Sequence, residues 1–206
     1  DALPLLEFAL SGLWQRVDIS TEGRRLTVNA YNTIGGVTGA LAMRADARIK
    51  ELSLDVKLVR RLLIELVRVA ETSEQDTRRP RSKEELDALD PALWEMAQKL
   101  APTRLLVVSD EPAVDIVHEA LFRRWTQLRE WIDEEREFLR FRQRLEERHR
   151  EWEADKGELL SGRMLDDAER WVREHPNTFT PQALAYLVAS RQARVAQSIW
   201  DEVNRL

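Results

Sequence analysis

A single histidine, His118, stands where a predicted strand passes into a predicted helix. The preceding residues, 115–117, are β-prone, whereas the apolar residues that follow recur at helical spacing. Those recurring residues are Leu121, Trp125, Leu128 and Ile132. The unpaired backbone N–H groups at a helix start favour anions, and a histidine there can titrate near neutral pH. The pattern therefore indicates either a histidine that touches a phosphate or one that satisfies local backbone groups.

The same stretch resembles a signature of bacterial STAND-type signalling NTPases, which are relatives of the plant and animal NB-ARC switch proteins. His118-Glu119-Ala120-Leu121, followed by Trp125, Leu128 and Trp131, is similar to H-E-A-L-x-x-x-W-x-x-L-x-x-W. Three further segments resemble family motifs in the same order. They are residues 3–10 (L-P-L-L-E-F-A-L), residues 26–41 with their paired glycines, and residues 76–86 (D-T-R-R…E-L). The resemblance covers residues 3 to about 132, and the tail from 133 to 206 matches more loosely.

The resemblance implies a regulatory role for the chain. In the family, the winged-helix histidine, here His118, reaches the β-phosphate of bound ADP and helps to hold the off state. Pro4 would lie against adenine, although from the residues alone it is a proline in the first turn of a helix. The expected partners are the nucleotide-binding domain and a C-terminal sensor domain of the same protein. The intact protein would form homo-oligomers when it is activated.

The chain lacks the motifs that would let it hydrolyse ATP by itself. It contains no G-x-x-x-x-G-K-[ST] phosphate loop and no hydrophobic strand ending in paired acids that could hold magnesium. We therefore expect the C-terminal part of a larger ATP-dependent switch, with no catalytic residue, metal site or cofactor of its own. ATP or ADP with magnesium is expected in the intact parent, which would be a slow ATPase.

The composition argues against several other classes of protein. Because there is no cysteine, disulfides and thiolate metal sites are excluded, which fits a cytoplasmic protein. No run approaches the roughly 18 apolar residues that would span a bilayer. The net charge of −5 gives no support for nucleic-acid binding. Seven glycines and seven prolines are too few for the turns of a β-sandwich, so a mainly α-helical protein is expected.

The elements that must position His118 predict a winged helix, in which three helices precede a β-hairpin. The predicted helices are 54–70, 82–89 and 91–101, and their start signals are Ser53, Ser82 and Pro91. Residues 105–108 and 113–117 are apolar runs around a four-residue turn, which predicts the hairpin. The predicted fold class is therefore mainly α, with a winged-helix core and a small β-hairpin, flanked by helical segments.

Three domains follow from this pattern. Residues 1–52 are the end of a small helical domain and a linker, 53–133 the winged-helix domain, and 134–206 a helical extension towards the sensor. Outside the core we expect helices over 3–16, 30–34 and 38–52, and a loop over 18–25. The long helix after His118 is predicted to break near Asp133. A helix through Leu165–Val172 should end before Pro176, and Thr180 should cap a last helix.

Arg78, Arg79 and Trp125 are the candidates for an interface with another domain. With Arg81, the two arginines form a compact basic cluster, which is either a solvated loop or a contact with the nucleotide-binding domain. The alternatives to a switch are a winged-helix DNA-binding transcription regulator and a helical protein-interaction scaffold. The predicted recognition helix, 91–101, argues against DNA because it carries an acid as well as a lysine. His149 and His175 lack the neighbours of a metal site and are predicted to lie at the surface.

Overall fold

The computed structural model describes residues 10, 13–14, 18–20, 23–25, 27–33, 36–155 and 157–205. Within this part the protein is mainly helical with short antiparallel strands, which confirms the predicted mainly α class with a small β-hairpin. The predicted first helix lies largely outside the described residues, and Pro4 lies outside them entirely. The chain forms two compact units. Among the described residues, the first unit holds those up to Lys83 together with Ala92–Glu134, and the second holds Glu84–Pro91 together with those from Glu135 onward.

The N-terminal part of the first unit contains a hairpin where the sequence predicted a loop. Strands β1 (Asp18–Ser20) and β2 (Gly23–Arg25) pair antiparallel. Three-residue strands are too short for an alternating pattern, so they could not be predicted from the residues. Helix α1 (Val28–Thr33) begins earlier than predicted because Thr27 caps it, with Thr27 Oγ1 accepting the Ala30 N–H at 3.1 Å. Helix α2 (Gly36–Glu51) lies close to its predicted span.

Helix α3 (Val56–Glu65) is shorter than the predicted helix at both ends. Its cap is Asp55 rather than Ser53, and the Asp55 carboxylate accepts the N–H groups of Lys57 and Leu58 at 2.8 and 3.4 Å. After the helix, strand β3 (Val67–Arg68) pairs antiparallel with strand β4 (Thr77–Arg78). Every residue from 62 to 67 is buried. A continuous buried run is compatible with a helix turn and with a buried strand. The spacing of apolar residues therefore could not show where α3 ends and β3 begins.

A three-stranded sheet contains the predicted hairpin and one further strand. Strand β5 (Arg81–Ser82) is followed by helices α4 (Lys83–Leu89) and α5 (Pro91–Leu100). Strands β6 (Leu106–Val108) and β7 (Ala113–Ile116) then form the hairpin, as predicted. The sheet order is β5-β7-β6, with Val114 of the central strand opposite both Arg81 and Val108. From α3 onward, the order along the chain is therefore one helix, three short strands, two helices and two strands.

The long helix after His118 breaks at Trp125 and not near Asp133. Helix α6 (Ala120–Arg124) ends at Trp125, whose backbone is extended with φ −82° and ψ 104°. Helix α7 (Thr126–Glu153) then runs without interruption through Asp133. The apolar spacing is the same on both sides of Trp125, so the periodicity that predicted a helix contained no sign of this break.

The second unit contains helices α8 (Gly162–Glu174) and α9 (Pro181–Val203). Thr180 caps α9 as predicted, because its Oγ1 accepts the Ala183 N–H at 3.3 Å. Two large apolar residues of α9, Leu184 and Val188, are exposed. The face that is buried consists of Ala183, Tyr186, Leu187 and Ser190. The buried hydroxyl of Ser190 donates to Tyr186 O at 2.8 Å and accepts the Leu160 N–H at 3.0 Å.

The two histidines of the second unit pack against aromatic rings. His149 is buried, which corrects the prediction that it lies at the surface. Its ring lies 5.5 Å from that of Tyr186. His175 is half-buried and stacks on Phe138, with ring centroids 3.9 Å apart and an interplanar angle of 7°. Within the described residues, no group of histidines and acids is arranged to hold a metal ion.

A buried ion pair joins α3 to the three-stranded sheet. The side chains of Glu65 and Arg81 are each only 4% exposed, and Arg81 Nη2 lies 2.9 Å from Glu65 Oε2. Arg81 Nε also donates to the Glu65 carbonyl oxygen at 3.4 Å. Since an unpaired buried charge is costly, each residue depends on the other for its burial.

Replacing Arg81 with leucine should lower the free energy of unfolding by about 3–5 kcal/mol, because Glu65 would be left buried without its counter-charge. Urea-induced unfolding measures the change. The matched control is Arg48→Leu, which breaks the exposed ion pair with Glu51 and should cost about 1 kcal/mol or less. Equal losses in the two variants would contradict this account of the pair.

Candidate functional site

His118 lies between the end of β7 and the start of α6. The strand leads directly into it, and the Val117 N–H still donates to Leu105 O at 3.1 Å. On the helix side, the His118 carbonyl oxygen accepts the Leu121 N–H at 2.9 Å. The His118 ring nitrogen Nδ1 accepts the Ala120 N–H at 3.0 Å. The imidazole is therefore held against the first turn of α6, as expected for a histidine that satisfies groups at a helix start.

The hydrogen bond to Nδ1 determines which ring nitrogen of His118 carries the proton. A nitrogen that accepts a hydrogen bond must be unprotonated, so the neutral ring carries its hydrogen on Nε2. Nε2 is then the ring atom that can donate to a ligand. Double protonation would replace the acceptor at Nδ1 with an N–H that faces the Ala120 N–H.

The surroundings of His118 keep its imidazole neutral. Burial is the largest cause and lowers the pKa of His118 below its ordinary value of 6.5. The positive charges of Arg78 and Arg123 act in the same direction, and the negative charge of Glu119 opposes them. An anion that approaches the ring at neutral pH therefore meets an N–H donor and not a full positive charge.

Two ion pairs flank the histidine. On the strand side, Arg78 Nη1 lies 3.0 Å from Asp115 Oδ2 and donates to Ile116 O at 3.2 Å. On the helix side, Arg123 Nη2 lies 2.9 Å from Glu119 Oε2, one turn away. Burial raises the pKa of Asp115, and the neighbouring Arg78 lowers it in part. These pairs attach β4 to β7 just before His118 and stabilise α6 just after it.

The structure places the predicted interface residues largely in internal contacts. Arg78 is held by Asp115, and the backbone N–H of Arg79 donates to Leu66 O at 2.9 Å. Arg81, the third member of the basic cluster, is buried against Glu65. Trp125 is 2% exposed, so its side chain contributes to packing inside the first unit and not to an exposed surface. The sequence could not show that Arg78, Arg81 and Trp125 have acidic partners at distant positions of the chain.

The surface of α5 gives no support to DNA recognition. Its exposed positions are Pro91, Glu95, Gln98 and Lys99, so one acid accompanies one base. Leu93, Trp94, Met96, Ala97 and Leu100 are buried. A helix that enters a DNA groove normally presents several basic or amide side chains near phosphates and bases, and this face does not.

Comparison with known proteins identifies the family. A family model described as Novel STAND NTPase 1 matches residues 1–158. The chain belongs to this family. No curated protein and no solved structure matches it. The match includes His118 and the whole first unit, and it confirms the resemblance carried by the sequence motifs. Membership of the STAND family gives the chain a regulatory role within a multidomain NTPase. None of the helices in the described part is both long and apolar enough to cross a membrane.

Sequence reasoning located His118 but missed the residues that hold it. Asp115 was assigned only to a β-prone run, although its partner Arg78 lies 37 positions earlier. Asp46 accepts a hydrogen bond from the Trp125 indole, and the two are 79 positions apart. A single acid within a helical pattern carries no sign of such a contact, so an observation in three dimensions was required.

NMR of the imidazole nitrogens should find Nδ1 of His118 unprotonated, Nε2 protonated and a pKa below 6.5. Because the folded pKa is lower than the unfolded one, the unfolded chain binds the proton more readily. The stability that neutral His118 contributes is therefore complete above the unfolded pKa and is lost as the pH falls through the folded pKa.

The check on stability compares the wild-type chain with His118→Asn by urea unfolding at about pH 7 and about pH 5. The wild type should lose more stability than the variant over this interval. A difference between the two proteins that does not change with pH would contradict the assignment.

Proposed function

We propose that this STAND chain is the regulatory part of an ATP/ADP-dependent signalling switch, in which His118 contacts the β-phosphate of ADP and holds the off state. The observation that carries the proposal is the hydrogen bond from Ala120 to His118 Nδ1, which leaves Nε2–H as the donor. A donor that is held against the first turn of a short helix, between two ion pairs, suits a phosphate oxygen. Membership of an NTPase family supports a nucleotide as the source of that phosphate.

The neutral state of His118 suits a sensor that must release its ligand. A hydrogen bond to a charged phosphate contributes about 1.5–3 kcal/mol, which corresponds to roughly a 10- to 150-fold difference in affinity. A contact of this size biases the equilibrium between two arrangements of the protein without making the nucleotide irreplaceable. ADP would favour the arrangement that forms the contact. Exchange for ATP, with its additional γ-phosphoryl group, would favour the other arrangement.

The partners in this proposal are parts of the same protein and further copies of it. A nucleotide-binding domain would supply the phosphate loop, magnesium and slow ATP hydrolysis, and this chain would supply no catalytic group. A C-terminal sensor would act through the helices that follow the matched residues. Release of the segment around His118 would permit homo-oligomerisation, in the cytoplasm. Arg78 and Arg79 are the candidate contacts of this chain with the nucleotide-binding domain.

Calorimetry on the intact parent protein tests this proposal. His118→Asn should weaken ADP binding by roughly 10- to 150-fold, because it removes the distal donor while the asparagine oxygen can still accept the Ala120 N–H. Affinity for ATP should change much less, and oligomerisation without a stimulus should increase. His175→Gln, a change in the second unit, is the matched control. Unchanged ADP affinity in His118→Asn would refute the proposal.

A further inference from the structure

Helix α6 cannot determine its own position. It has five residues, Ala120–Arg124, whereas isolated helices shorter than about 12–15 residues are marginal in water. Its placement must therefore come from packing. Ala120, Leu121 and Phe122 are all buried, and α6 packs against α2. Whatever fixes α6 relative to α2 also fixes the groups at the two ends of α6.

The C-terminal end of α6 is attached to α2 by a specific hydrogen bond. Trp125, where the helix ends, is buried, and its indole Nε1–H donates to Asp46 Oδ1 at 2.8 Å. Trp131 packs edge-on against the same ring, with centroids 5.9 Å apart. A buried indole N–H without an acceptor is costly, so the Asp46 carboxylate fixes where this ring can lie.

Asp46 lies at the edge of the buried face of α2. Ala45 is 0% exposed and Ile49 is 6% exposed, so both neighbours on this side of the helix belong to the core. Asp46 itself is half-buried. A carboxylate forms a stronger hydrogen bond than a neutral acceptor does.

The N-terminal end of α6 holds His118. The ring accepts from Ala120 and the carbonyl oxygen accepts from Leu121, so the imidazole must move with the first turn of this helix. We infer that Asp46 is a positioning residue for His118, acting through the Trp125 indole and α6. The proposed contact of His118 with phosphate would then depend on a residue of α2 as well as on the histidine itself. The positioning role of Asp46 follows from contacts within this chain. Only its biological purpose rests on the proposed function.

Three substitutions separate positioning from other effects. Asp46→Leu removes the acceptor and leaves the Trp125 N–H unsatisfied. Trp125→Phe removes the donor from the other side while keeping an aromatic ring. Asp46→Asn is the matched control, because it removes the negative charge but retains an oxygen that can accept from the indole.

The test is the NMR titration of the His118 imidazole in this chain without nucleotide. Asp46→Leu and Trp125→Phe should each raise the pKa of His118 towards 6.5, because a loosened α6 exposes the ring and weakens its bond to Ala120. The double variant should raise it no further. Asp46→Asn should leave the titration close to that of the wild type. The ring signals of His149 and His175 in the same spectra should be identical in all variants.

If Asp46 acted on His118 only through its charge, its replacement would shift the pKa of His118 in the opposite direction. Loss of a nearby negative charge lowers the pKa of a histidine, and Asp46→Asn and Asp46→Leu would then behave alike. That result, or an unchanged titration accompanied by reduced stability, would overturn the inference. If Asp46→Leu does not fold, Trp125→Phe tests the same hydrogen bond and decides the matter by itself.

The positioning inference and the proposed function would be overturned by different experimental results. If His118→Asn leaves ADP affinity of the parent unchanged, the phosphate contact is wrong, and the titration of Asp46→Leu is unaffected by that result. If the titration does not respond to Asp46→Leu and Trp125→Phe, the positioning inference is wrong whatever the nucleotide does. If both are correct, Asp46→Leu in the parent should weaken ADP binding, and by no more than His118→Asn does.

Discussion

The buried ion pair between Glu65 and Arg81 is the constraint on which the arrangement around His118 depends. It restricts how α3 meets the sheet, because any shift that separated the two charges would remove from each of them a buried partner 2.9 Å away. Arg81 lies on β5, which pairs with the central strand β7, and β7 ends two residues before His118. The position of the histidine is thus determined through the register of the sheet.

The histidine is held from its other side by a contact of a different kind. Helix α6 is too short to be stable alone, and the Trp125 indole attaches it to Asp46 on α2. Between these two supports, one ring nitrogen of His118 is occupied by a backbone N–H. The site therefore contributes a single oriented donor, which suits the proposed recognition of an anion by a regulatory element.

The sequence predicted those parts of the fold that depend on local patterns. The hairpin of β6 and β7, the start of α5 at Pro91 and the cap of α9 at Thr180 are each specified by a few neighbouring residues. The end of α3 at Glu65 and the break at Trp125 were not predictable, because the surrounding apolar residues satisfy a helix and a buried strand or turn equally well. The ion pairs of Arg78 and Arg81 could not be predicted for another reason, which is that their acidic partners lie 37 and 16 positions away in the sequence.

The most direct test of the account is backbone amide hydrogen exchange of the intact parent, measured over residues 116–125 with ADP and without nucleotide. The account predicts slower exchange with ADP, above all at Ala120 and Leu121, because these amides donate to His118 and a phosphate contact would hold the imidazole in place. Exchange in α9, outside the matched residues, should change little. Equal exchange across 116–125 with and without ADP, in a protein that is shown to bind it, would contradict the central claim.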